Sequence, residues 1–185
     1  MRLVELDVKA VLPALYIGRF QPYHLGHLAA TKWILGREER LIIGVGSAQF
    51  SHTIENPFTA GERIEMILTT LRDEGLASRC IVIPIPDIGQ HSLWVQLVKQ
   101  YCPPFSRVYT NSPLSRRLFL EAGIEVQGIP LFERDKYDAT HVRKLMIEGG
   151  DWESCVPRAV AEVIKRIGGV ERVKELVKND KYTSK

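Results

Sequence analysis

The chain has 185 residues and a formal net charge of +3, from 25 Lys and Arg against 22 Asp and Glu. With 45% hydrophobic and 25% charged residues, it has the composition of a single water-soluble domain able to bury one substantial core. The mild charge gives no reason to expect a nucleic-acid partner, and no apolar run is long enough to span a membrane.

Residues 1–13 precede the first strand-like run, and an extra edge strand, an oligomer contact or a frayed end would each suit them. From residue 14 to 185 the chain reads as one domain. Ala14 to Ile17 is a short apolar strand, and Leu25 to Leu35 the helix that follows it. Leu41 to Val45 is a second buried strand. Thr59 and Glu62 have capping-box spacing and open a helix whose apolar stripe is Ile64, Ile67, Leu68 and Leu71. Cys80 to Ile85 is a third strand, and Leu93 to Tyr101 a helix that stops before Pro103 and Pro104. Arg107 to Thr110 is a fourth strand. Ser112 then reads as an N-cap with Pro113 at the first helical position, and Gly123 ends that helix. Glu125 to Gln127 is a short fifth strand. Helices over about Thr140 to Glu148, Pro157 to Ile167 and Val170 to Val177 complete the chain.

This alternation predicts an α/β fold with a parallel five-stranded sheet, Rossmann-like, in the order 3-2-1-4-5. Ligands then bind at the carboxyl ends of the strands, which gathers residues 18–27, 46–52, 87–94 and 110–112. The Gly44-Val45-Gly46 run lacks the third glycine of a dinucleotide fingerprint, because Gln49 stands there. Cys80, Cys102 and Cys155 are odd in number and far apart, so neither a disulfide framework nor a zinc ribbon is indicated. Glu5, Asp7 and Lys9 interrupt the apolar start of the chain and exclude a signal-peptide core there, so a cytoplasmic location is expected.

The densest chemistry lies in Gly18-Arg19-Phe20-Gln21-Pro22-Tyr23-His24-Leu25-Gly26-His27. Histidines three apart share one face of a first helical turn. The helix start adds free backbone N–H groups and a partial positive charge, a ready anion site. Gly26 lets a ligand approach the backbone, while Arg19 and Gln21 add donors. Such a concentration of donors suits a polyphosphate. A pair of packing histidines and a zinc site are the alternatives, and no nearby cysteine supplies a third soft ligand for the metal.

His24-Leu25-Gly26-His27 matches the H-x-G-H motif, and the ten-residue form resembles that of archaeal-type nicotinamide mononucleotide (NMN) adenylyltransferases in the nucleotidyltransferase superfamily. The stretch Asp138-Ala139-Thr140-His141-Val142-Arg143 is similar to the family's second motif, with Thr140 placed to cap a helix and donate to phosphate, and Arg143 one turn on. The resemblance covers roughly residues 14–177. It implies an adenylyltransferase that joins NMN and ATP to give NAD and pyrophosphate, with catalytic residues His24, His27 and Arg143. Gly18, Arg19, Phe20, Gln21, Gly26, Ser47, Asn111, Ser112 and Thr140 would bind the nucleotide. Asp87, Ile88, His91 and Trp94 would hold the acceptor, Trp94 by stacking on the nicotinamide ring. Mg²⁺, carried mainly by substrate phosphates and water, is the implied cofactor, and a homo-oligomer the implied assembly.

Four positions depart from the family pattern. Asp138 stands where Ser is usual, His91 where Asn is, Glu55 where a basic residue is common, and Asn111-Ser112 where Gly-Asn is common. An ionised Asp138 is acceptor-only and repels phosphate, although it suits a helix cap. A transferase with another phosphorylated acceptor, or an inactive nucleotide-binding module, are the competing readings.

Overall fold

Strands β1 (Ala14–Gly18) and β2 (Leu41–Val45) are apolar along nearly their whole length because both faces of the sheet are covered. In the computed structural model, which describes residues 12–133 and 136–183 (backbone alone for 179–183), they are the central pair of a parallel sheet. β3 (Cys80–Pro84), β4 (Val108–Tyr109) and β5 (Val126–Gln127) complete it in the order β3-β2-β1-β4-β5. The expected order is the observed one. Residues 1–11, and with them most of the N-terminal extension, lie outside the described residues.

Strand alternation divides the core in two. Leu15, Ile17 and Ile42 face helices α3 (His91–Tyr101) and α4 (Pro113–Glu121), where Val95, Val98 and Phe119 meet them. Ala14, Tyr16, Leu41, Ile43 and Val45 face the other way. There they meet α1 (Leu25–Leu35), α2 (Ala60–Asp73), α5 (Ala139–Glu148), α6 (Arg158–Arg166) and α7 (Gly169–Thr183). Gly44 is required by packing: a Cβ there would stand 2.9 Å from Ile85 Cδ1 and 3.3 Å from Leu15 Cδ1.

Local signals placed the helix starts well. Thr59 and Glu62 form the capping box that opens α2, and Ser112 accepts from Ser115 N ahead of Pro113. Three expectations need correction. Of the anticipated α2 stripe, Ile67 and Leu71 are buried, Ile64 and Leu68 only half-buried, and Arg63, Met66 and Thr70 complete the buried face. Helix α3 begins at His91, two residues early, its first turn being exposed and therefore without apolar periodicity. Helix α5 begins at Ala139 because Asp138, not Thr140, is its cap: Oδ1 accepts from Thr140 N at 2.9 Å and His141 N at 3.2 Å.

Helix α7 is tied to the start of α2 by a two-pronged ion pair. Arg172 donates to Glu62 Oε2 at 2.7 Å and to Oε1 at 2.8 Å, and also to the Pro57 carbonyl. Partial burial alone would raise the Glu62 carboxyl. The hydrogen bonds from Arg172 and Thr59 outweigh it and leave the group below its usual value.

Candidate active site

Two cavities meet at the carboxyl end of β1 and share Ile17, Gly18 and Ser112. The larger, about 570 Å³, runs under the β2 and β3 ends and along the starts of α3 and α4. The smaller, about 280 Å³, lies over the start of α1, with Asn111, Tyr137 and Asp138 in its walls. A parallel sheet opens its crevice there because neighbouring connections leave to opposite faces.

The α1 start is built from its own histidines. His24 is the N-cap, and its Nδ1 accepts from His27 N at 3.3 Å; His27 Nδ1 accepts in turn from His24 N at 3.2 Å. The two rings stack with centroids 3.5 Å apart and planes inclined by 23°. A ring nitrogen that accepts from a backbone N–H carries no proton, so each neutral imidazole must carry its proton on Nε2. Burial opposes protonation of both. It holds His24 down to about 4, against a smaller upward pull from Asp138, and holds His27 well below its ordinary value with His24 adding to the effect. The capping box thus fixes two Nε2–H donors side by side. Gly26 keeps this compact, since a Cβ there would lie 3.1 Å from both His24 Nδ1 and Tyr137 Cβ.

Phe20 and Gln21, anticipated as nucleotide contacts, turn their side chains inward. Phe20 is buried at φ +52°, its ring edge-on to Tyr16 and 4.9 Å from the His27 centroid, where it buttresses that imidazole. Gln21 pairs with the Phe58 backbone, donating at 2.9 Å and accepting at 3.0 Å. Its carbonyl accepts from Arg143 Nη1 at 2.8 Å. Arg143 is therefore largely buried, with Nη2 reaching Thr140 Oγ1 at 3.4 Å and Thr140 itself exposed. Burial lowers the Arg143 guanidinium and the positive charge of Arg19 lowers it further, while Asp138 and Glu55 oppose both. Arg19 is exposed and lines the larger cavity with Gly18.

Around the larger cavity, Ser47 adopts φ +50° and donates to Asp87 Oδ2 at 2.5 Å. Ser47, anticipated as a nucleotide contact, lines the larger cavity and not the smaller one. Gln49, absent from the candidates read from sequence, clasps the Asp87 backbone, donating to its carbonyl at 2.6 Å and accepting from its amide at 2.9 Å. Ile88 and His91 are exposed on the same wall. Trp94 lies edge-on to Phe119 with centroids 5.4 Å apart, and its buried Nε1–H has no partner among the described residues. Asn111, in the wall of the smaller cavity, pairs with the Ile129 backbone at 2.8 and 2.9 Å, and Ser112, shared by both cavities, caps α4, so the polar atoms of both are already engaged.

Sequence reasoning also passed over Arg63, which is 0% exposed and, among the described residues, donates only to carbonyls. Burial presses its guanidinium down to about 10, and nearby Arg19 presses the same way. The signal available was an arginine one turn ahead of Met66 and Ile67 on the buried face of an amphipathic helix.

Known proteins resemble the chain along most of its length. Residues 15–145 match the cytidylyltransferase-like family. A nicotinamide-nucleotide adenylyltransferase of Ignicoccus hospitalis is 54% identical over 169 residues, which cover 90% of this chain and 99% of that protein. The enzyme of the same name from Methanothrix thermoacetophila is 51% identical over 165 residues, covering 89% and 96%. The fold is also that of a bifunctional NMN adenylyltransferase/ADP ribose pyrophosphatase from Francisella tularensis, crystallised with AMP and a manganese ion. That match has a TM-score of 0.74 at 22% identity and covers 93% of this chain, which spans only about half (53%) of that longer protein. The paired-imidazole turn thus sits in a chain that belongs to the cytidylyltransferase-like family, among its archaeal nicotinamide-nucleotide adenylyltransferases.

Proposed function

We propose that this protein transfers the adenylyl group of ATP to NMN, giving NAD and pyrophosphate. The observation that carries the reading is the pair of Nε2–H donors at the α1 start, beside a second cavity large enough for another mononucleotide. The NMN phosphate is already an anion, so its attack on the α-phosphorus needs no general base. What the protein must supply is alignment and stabilisation of charge on the transferring and leaving phosphates. We assign ATP to the smaller cavity, with His24 and His27 donating to phosphate oxygens. Arg19, on the larger-cavity side of the shared Gly18, and Arg143, anchored on Gln21, neutralise the triphosphate where the two cavities join, and the Gly26 region offers its backbone. Phe20 and Gln21 act from behind, by buttressing His27 and anchoring Arg143.

NMN takes the larger cavity, with Trp94 beside the nicotinamide, Asp87 oriented by Ser47 and Gln49 to face the carboxamide, and His91 and Ile88 at the mouth. Among the described residues no three metal-ligating side chains converge, and Asp138 Oδ1 is occupied by two amides. That donor set fits a divalent cation such as Mg²⁺ that is held by the triphosphate and water rather than by a protein cage. When bound, it would neutralise charge on the phosphate oxygens. A homo-oligomer and a cytoplasmic location belong to the same reading, and light scattering of the purified protein tests the first. Incubation with ATP, Mg²⁺ and NMN should produce NAD and pyrophosphate in equal amounts. Pyrophosphate only with other phosphorylated acceptors, or ATP binding without turnover, would refute the assignment.

A further inference from the structure

Among the described residues Arg63 is the largest fully buried side chain, and its charge is spent there on backbone oxygen alone. Nη1 donates to the Arg19 carbonyl at 2.7 Å and the Gly46 carbonyl at 2.8 Å, Nη2 to the Ser47 carbonyl at 3.2 Å, and Nε to the Thr59 carbonyl at 3.2 Å. Three of these carbonyls belong to residues that line the larger cavity. The strand ends they close are joined directly as well, Gly46 N donating to Gly18 O at 2.9 Å.

A carbonyl oxygen facing an incoming phosphate would repel it, whereas a backbone N–H attracts it. Two non-glycine residues beside these carbonyls, Phe20 at φ +52° and Ser47 at φ +50°, hold left-handed backbone conformations that persist only when their surroundings enforce them. A planar guanidinium anchored in α2 can enforce both, because its rigid fork of donors reaches the two strand ends at once. A lysine has the charge without the fork.

Resting on the adenylyltransferase reading, we infer that Arg63 is a positioning residue that draws the carbonyls of Arg19, Gly46 and Ser47 inward, so that the joined ends of β1 and β2 present donors to both substrates. Its reach extends to the acceptor through Ser47, whose Oγ orients Asp87. Neither substrate touches it.

Arg63→Lys and Arg63→Gln, compared with the wild type by NAD formation and by the folded fraction from circular dichroism, test this. Per folded protein, both variants should raise KM for ATP and for NMN at least about 5-fold, Lys less than Gln. Activity that falls only in proportion to the folded fraction, with both KM values unmoved, overturns the inference and leaves a structural role. Should neither variant fold, the wild type decides: the ¹⁵N resonances of the Arg63 guanidinium should shift when ATP is added, and unmoved resonances at saturating ATP overturn it. A wild type that forms no NAD removes the adenylyltransferase reading and this inference together, whereas an active wild type with unmoved variant KM values removes the inference alone.

Discussion

The two cavities at the end of β1 are built to different standards. Around the smaller one the side chains of the α1 turn are held by second contacts: the histidines by each other, Phe20 by Tyr16, Gln21 by Phe58, and Arg143 by Gln21. Around the larger one, Asp87 is fixed, but Ile88 and His91 are exposed and α3 begins without a side-chain cap. The difference teaches how the two proposed tasks divide. Stabilising a transition state requires donors that need not reorganise, the task we propose for the tightly held side. Choosing an acceptor tolerates adjustment, the task we propose for the open side.

Substitutions should therefore separate into large effects on turnover on one side and smaller effects on acceptor affinity on the other. His27→Ala should lower kcat roughly 10²–10³-fold, the scale for losing one preorganised donor, as read from steady-state NAD formation. Stability should depend on acid in a defined window. The unfolded His24 titrates near 6.5 and the folded one at about 4, so the stability its neutral ring carries is complete above pH 6.5 and drains as pH falls toward 4. Its full loss is on the order of 3 kcal/mol, and thermal melts across that range should flatten in His24→Gln.

Arg143→Ala should cost about 10- to 100-fold in kcat/KM for ATP, the range for a charged hydrogen bond, with KM for NMN little changed. Trp94→Ala should do the reverse, raising KM for NMN by about 5- to 30-fold, with KM for ATP unmoved. Asp138→Ser is the finest test. Serine also caps helices, so α5 should survive while a repulsive charge near His24 is removed. KM for ATP should fall a few-fold; a rise would show that the carboxylate assists binding.

The helix starts at Thr59 and Ser112 were legible because the cap and its companion, Glu62 three residues on and Pro113 next in line, lie inside one sequence window, whereas the histidine capping box at His24 emerged only in the structure. The strand order followed from alternation and the rules for parallel connections. What escaped depends on partners far along the chain. Gln21 is satisfied by Phe58, 37 residues away, Gln49 by Asp87, 38 away, and Arg63 by Arg19, 44 away. A polar side chain looks the same in sequence whether it faces a ligand or an orphaned carbonyl. The ten-residue motif marks a turn at the mouth of the crevice, but it does not show that the Phe20 and Gln21 side chains point away from that mouth and into the fold. Both Thr140 and Asp138 suited a cap in sequence, since either residue type can serve there, and Asp138 provides it.

The most direct test concerns the protons of the two imidazoles. In ¹⁵N spectra of the free protein at neutral pH, both His24 and His27 should be neutral, protonated on Nε2 and bare on Nδ1, and ATP should shift both Nε2 signals. Protons on Nδ1, or Nε2 signals that saturating ATP leaves in place, would contradict the paired-donor site on which the account rests.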